Sequence, residues 1–91
     1  MSTIKRNVYV MECQGMYKIG VSKDVEKRQK QLTKTPIPVN IIYISPQIDY
    51  AYECERNLHE IFEEKKIMGE WFLLNDYDIE AIEKFFIGMG D

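Results

Sequence analysis

At 91 residues the chain has room for one domain, residues 1–91, around a modest core. Hydrophobic residues at 45% and charged residues at 30% are globular proportions; no apolar run nears the ~20 residues of a membrane helix, and residues 1–6 hold no apolar secretion core. A membrane partner and export are therefore not expected, and the two cysteines, Cys13 and Cys54, which form no CxxC or zinc pattern, read as reduced thiols of a cytoplasmic protein. The net charge of −3 hides a division: residues 18–34 carry six bases against two acids, net +4, whereas residues 47–91 carry four bases against twelve acids, net −8. A phosphate-binding face on the first third is compatible with an acidic whole, although charged helix faces are usually only solvated.

In chain order, residues 8–12 and 16–21 read as strands rich in Val, Ile and Tyr. Gln14-Gly15 suits a two-residue hairpin turn. That register sets Cys13 against Met16, Met11 against Lys18 and Tyr9 against Gly20. Alternation then puts Tyr9, Met11, Lys18 and Gly20 on one face, and Val8, Val10, Ile19 and Val21 on the core face. Gly20, with no side chain, leaves space beside the Tyr9 ring. A three-residue turn would shift the register and separate Tyr9 from Lys18.

Ser22 is a suitable N-cap for a helix over residues 23–33. Arg28 lies on the stripe of Val25 and Leu32, where its stem can pack while its head leaves the core edge. Lys23, Lys27, Lys30 and Lys34 supply the remaining positive charge for nucleic-acid contact. Pro36 and Pro38 force extended backbone. Residues 39–45 then form a third strand, apolar enough to be central in the sheet. Asp49 can cap a second helix over residues 50–65. Its inward stripe of Ala51, Leu58 and Phe62 also carries Glu55, a costly place for a carboxylate unless it is paired or holds a metal. His59, one turn on, can reach the same pocket. Residues 69–74 read as a short strand or extended lid, with Trp71 and Phe72 as core and base stacking as the alternative. Asn75 or Asp76 can cap a last helix whose stripe, Ile79, Ile82, Phe85 and Phe86, is core packing.

Tyr9, Lys18, Arg28 and Glu55 thus come from two strands and two helices. Together they fit metal-assisted phosphodiester hydrolysis, which needs an ion on a phosphate oxygen, a group to activate water, and cations against the developing charge. A single carboxylate suits Mg²⁺, which keeps most of its waters. No Gly-rich phosphate loop, HExxH or serine-triad pattern occurs.

At these positions the chain resembles the GIY-YIG endonuclease superfamily, in a phage-associated branch whose second motif reads Lys-Ile-Gly. Asn7-Val8-Tyr9 stands for Gly-Ile-Tyr, and Lys18-Ile19-Gly20 for Tyr-Ile-Gly. Arg28 matches the helix arginine, Glu55-Arg56-Asn57-Leu58-His59 the glutamate helix, and Gly69-Glu70-Trp71-Phe72 the closing segment. The resemblance covers about residues 7–74. It implies an α+β fold: an antiparallel sheet of about three strands flanked by helices, in the order β-β-α-β-α-(short β)-α.

The resemblance also implies a DNA endonuclease using one Mg²⁺ or Mn²⁺, in the host cytoplasm if phage-encoded. Tyr9 would activate water as a tyrosinate or through a relay, Arg28 would clamp the phosphate and Glu55 would hold the metal. Lys18 replaces the second tyrosine, with Tyr17 beside it, and would contact phosphate or, if desolvated, act as a base. By the same resemblance His59 would stand in for a helix histidine whose place is taken here by Leu32. The alternative is a weak or inactive module of the same fold that binds nucleic acid or a protein, such as a phage- or plasmid-borne regulator. A pocket for a small phosphorylated ligand is a third reading. With no separate recognition domain, a nuclease of this size is expected to be weakly specific, to form a homodimer or to borrow a targeting partner.

Overall fold

The computed structural model describes residues 4–33 and 36–88. Among them, strands β1 (Asn7–Cys13) and β2 (Met16–Ser22) precede helix α1 (Val25–Leu32), strand β3 (Asn40–Ile44) and helix α2 (Ala51–Ile61). A 3₁₀ turn, Glu63–Lys65, then leads into strands β4 (Lys66–Met68) and β5 (Trp71–Phe72) and helix α3 (Asp76–Phe85). The sheet is antiparallel, in the order β3-β1-β2-β5-β4. The α+β class expected from the sequence is therefore observed.

The β1–β2 hairpin has the two-residue turn. Gln14 and Gly15 both take positive φ, +52° and +83°, and such a turn follows the right-handed twist of the strands. Cys13 pairs with Met16, Met11 with Lys18 and Tyr9 with Gly20, as the alternation requires. A Cβ on Gly20 would overlap the Tyr9 hydroxyl and ring, so the ring lies directly across that residue. This close approach, not backbone conformation, is what demands glycine there.

The two sheet faces are covered by different helices. Val8, Val10 and Ile19 pack with Ala51, Cys54 and Leu58 of α2, with Ile82 of α3 and with Phe86, which caps its C-terminus. Tyr9 and Met11, on the reverse face, pack with Val25 of α1 and with Val39. Each fully buried aliphatic side chain contributes roughly 1.5–3 kcal/mol. The reverse-face cluster is the smaller, and the polar groups gather at its border.

Several expectations need correction. The sheet has five strands rather than about three, because the segment after α2 forms a second hairpin, from strands of only three and two residues. β3 is an edge strand, not a central one, and its apolar run leaves Ile42 and Ile44 exposed. α1 starts at Val25 with Asp24 as N-cap, its carboxylate accepting from Lys27 N at 3.1 Å. Ser22 instead accepts from Asp24 N at 3.0 Å, shaping the approach to the helix. α2 begins after Tyr50 without a side-chain cap, so Asp49 does not serve there, and its α-helical turns stop at Ile61. Asn75 caps α3 in a reciprocal box with Asp78, the two bonds measuring 2.9 and 3.0 Å. No described helix is long and apolar enough to cross a membrane.

Substituting Gly20→Ala is expected to lower stability by about 1–3 kcal/mol, the usual cost of overpacking a close contact. Urea unfolding checks this; an unchanged midpoint would mean that Tyr9 does not rest on Gly20.

Candidate functional site

The geometry follows from where β5 ends. β5 pairs with β2 only at Tyr17↔Phe72 and Lys18↔Trp71. Beyond Lys18 other groups complete the edge: Ile19 N donates to the Glu70 carbonyl at 3.1 Å, and His59 Nε2 meets the Ile19 carbonyl at 3.0 Å. With that carbonyl as acceptor, Nε2 carries the proton. The His59 ring also stands edge-on to Phe72, centroids 4.9 Å apart. This bond and this ring contact fix the last turns of α2 against the rim of β2.

Four elements meet at that rim. Tyr9 is 1% exposed and reaches across Gly20, carrying its hydroxyl from β1 over β2. Arg28 of α1 lies close enough to oppose, by hydrogen bonding and charge, the effect of burial on the Tyr9 phenol. Burial wins, and the phenol is pushed above its ordinary value, with Glu70 and Glu55 adding to the rise. The guanidinium is steadied from its own helix by Gln31 Oε1, 3.3 Å from Nη1.

Glu55 comes from α2, on the opposite side of the sheet. Burial holds its carboxyl above the usual range, the negative charge of Glu70 pushes it further, and His59 and Lys18 pull it back. It enters no hydrogen bond or ion pair among the described side chains. Lys18, only 7% exposed, pairs with Glu70 at 3.2 Å and lies 5.6 Å from the centroid of the Trp71 ring. The local balance is two cations, Lys18 and Arg28, against two carboxylates, Glu55 and Glu70. A divalent ion would turn it positive, as a phosphate seat requires.

Tyr9, Lys18, Arg28 and Glu55 are therefore brought together, with His59 beside them. Tyr17 is not: its side chain packs against the cluster on the other face. Lys23, Lys27 and Lys30 are exposed on and before α1, flanking Arg28, whereas Lys34 lies outside the described residues. Glu70 is a member that sequence reasoning missed. The readable signal was Gly69-Glu70 between apolar Met68 and Trp71, a hairpin turn whose Gly69 has φ +57°. An open groove of about 540 Å³, lined by Arg56, His59, Glu60, Glu63 and Lys66, shares only His59 with the cluster.

The donors available limit the metals this rim would accept. Among the described residues no three His, Cys, Asp or Glu side chains gather into a cage. An ion here would rest on one or two carboxylate oxygens and keep most of its waters. That fits Mg²⁺ or Mn²⁺ and not a closed zinc site. Glu55, half-buried and in no ion pair among the described residues, fits the ligand's part.

The family model of the T5orf172 domain matches residues 6–87. This chain belongs to the T5orf172 domain family. The T5orf172 domain is associated with phage-related nucleases. Its matched span contains the whole rim, from Tyr9 to Glu70. No curated protein and no solved structure matches the chain.

The raised Glu55 carboxyl has a consequence for stability. A folded-state value above the unfolded one means that folding favours the protonated form; the associated stability is present at acidic pH and lost as pH rises through the folded value. Glu55→Gln imitates the protonated form. At pH 7 without metal the variant should be at least as stable as the wild type, and its advantage should vanish toward pH 4. Urea midpoints across that range check the sign; a variant less stable at pH 7 would show that Glu55 has a stabilising partner.

Proposed function

We propose that this T5orf172 domain is a metal-dependent endonuclease of the GIY-YIG type, cleaving DNA phosphodiester bonds at the rim of β2. The observation that carries the reading is the convergence of Tyr9, Arg28 and Glu55 from three elements on both sides of the sheet. A carboxylate held half-buried with no hydrogen bond or ion pair among the described side chains is hard to account for as packing. The match to a family associated with phage-related nucleases supports the same reading.

In this mechanism Arg28 binds a non-bridging oxygen of the scissile phosphate and neutralises charge as it develops. Glu55 would hold one Mg²⁺ or Mn²⁺, which when bound supplies Lewis-acid polarisation of the phosphate. Tyr9 orients the attacking water. Its phenol, pushed up by burial, keeps its proton at neutral pH, which favours a relay over a standing tyrosinate. As the water oxygen bonds to phosphorus, the hydroxyl accepts its proton and passes its own to solvent, while the P–O bond to the leaving sugar oxygen breaks and that oxygen takes a proton from solvent water. Lys18, ion-paired and seated on Trp71, suits an electrostatic contact to phosphate better than a base. Lys23, Lys27 and Lys30 extend a positive approach along α1 for the flanking backbone. His59 positions α2, and so Glu55, through the Ile19 carbonyl.

Plasmid cleavage with Mg²⁺ or Mn²⁺ tests the proposal. Tyr9→Phe, Arg28→Ala and Glu55→Ala should each lower the rate at least about 100-fold, the scale seen when one charge-stabilising group is removed. Folding of each variant is checked by thermal melting. A wild type that binds DNA but cuts with neither metal would instead make the domain a nucleic-acid-binding module, a reading to which the replacement of the second tyrosine by Lys18 already points.

A further inference from the structure

Glu70 is a carboxylate in the wrong place for a simple phosphate site. It sits at the tip of the β4–β5 hairpin, its backbone carbonyl fixed to Ile19 N at 3.1 Å and its carboxylate 3.2 Å from Lys18 Nζ. The two partners differ in freedom. The Lys18 side chain is 9% exposed and backed by the Trp71 ring, whereas the Glu70 side chain is 44% exposed. The cation is therefore anchored, and the anion covering it can swing into solvent without disturbing the sheet.

We propose that the Glu70 carboxylate occupies the seat of a substrate phosphate at Lys18, and that a nucleic-acid phosphodiester displaces it on binding. This rests on the reading of the rim as a phosphodiester site. Glu70 is thus an internal competitor that keeps a nearly buried lysine paired while the site is empty, avoiding the penalty of a desolvated lone ammonium. The exchange lowers the protein's gain from each encounter with nucleic acid, because one ion pair is broken as another forms. Only a ligand that also engages Arg28 recovers the difference, so weakly seated polyanions are rejected.

Binding of a short duplex to the full chain in EDTA, at several salt concentrations, tests this without reference to cleavage. Glu70→Gln retains the backbone bond to Ile19 and the side-chain shape while removing the charge. It should bind about two- to fivefold more tightly, the scale of a released exposed ion pair. Its logarithmic salt slope should be steeper by up to ~0.9, one additional uncompensated phosphate contact. Glu70→Ala should shift both quantities in the same direction.

A general effect of net charge is removed by repeating the comparison in a Lys18→Gln background, where Glu70→Gln should change neither affinity nor slope. A gain that persists there overturns the exchange, as does Glu70→Gln binding no tighter than the wild type while Lys18 is present. Arg28→Ala reports separately on the underlying reading. If it weakens binding while Glu70→Gln is without effect, only the exchange fails. If it leaves binding untouched, the phosphodiester reading fails and takes the exchange with it.

Discussion

The contact between the Tyr9 ring and Gly20 organises this domain. Tyr9 is anchored on β1, one strand in from the rim, and only a residue without a side chain at position 20 lets its ring cross β2. The phenol hydroxyl is thereby delivered to a border where the strand pairing stops. The same crossing makes the phenol part of the smaller hydrophobic cluster with Met11, Val25 and Val39, so the polar tip is carried by a side chain that is otherwise core. Such a group is held stiffly, because moving the hydroxyl means repacking the ring.

The brevity of β5 gives the contact its significance. A longer strand would have continued along β2 and closed the border with backbone bonds. Here the hairpin tip supplies Glu70 and α2 supplies His59, each satisfying one backbone group of Ile19. The border is thus sealed by residues that also bear ionisable side chains, or stand one helical turn from one. Glu55, four residues before His59, is brought to the rim by a helix that belongs to the opposite face. Elements from both sides can meet only at an interrupted sheet edge, and this is why the cluster lies there rather than over the centre of either face.

Much of this was legible in the sequence, for identifiable reasons. Gly15 fixed a turn of two residues, alternation fixed the faces, and the pairing of Tyr9 with Gly20 followed. Glu55 stood out as a charge on an apolar stripe. Other features depended on long-range geometry. The run at residues 40–44 looks like a central strand because its exposed isoleucines cannot be told from buried ones by composition. β4, three exposed residues with no alternation, has no local signature. The part played by Glu70 required knowing that its hairpin docks beside Lys18, a pairing between residues about fifty apart in the chain. Tyr17 was drawn into consideration by adjacency alone, and the strand's period of two sends it to the other face.

In the proposed mechanism Glu55 would hold a metal at the rim, with Arg28 on the scissile phosphate. A crystal structure of the domain with Mn²⁺ and a cleavage-resistant DNA oligonucleotide tests it most directly, because the anomalous signal of manganese marks the ion independently of any activity. The expected result is a manganese peak within bonding distance of a Glu55 carboxylate oxygen, beside the phosphate that Arg28 contacts. A manganese ion bound elsewhere, or DNA lying across a different face with Glu55 unligated, would contradict it.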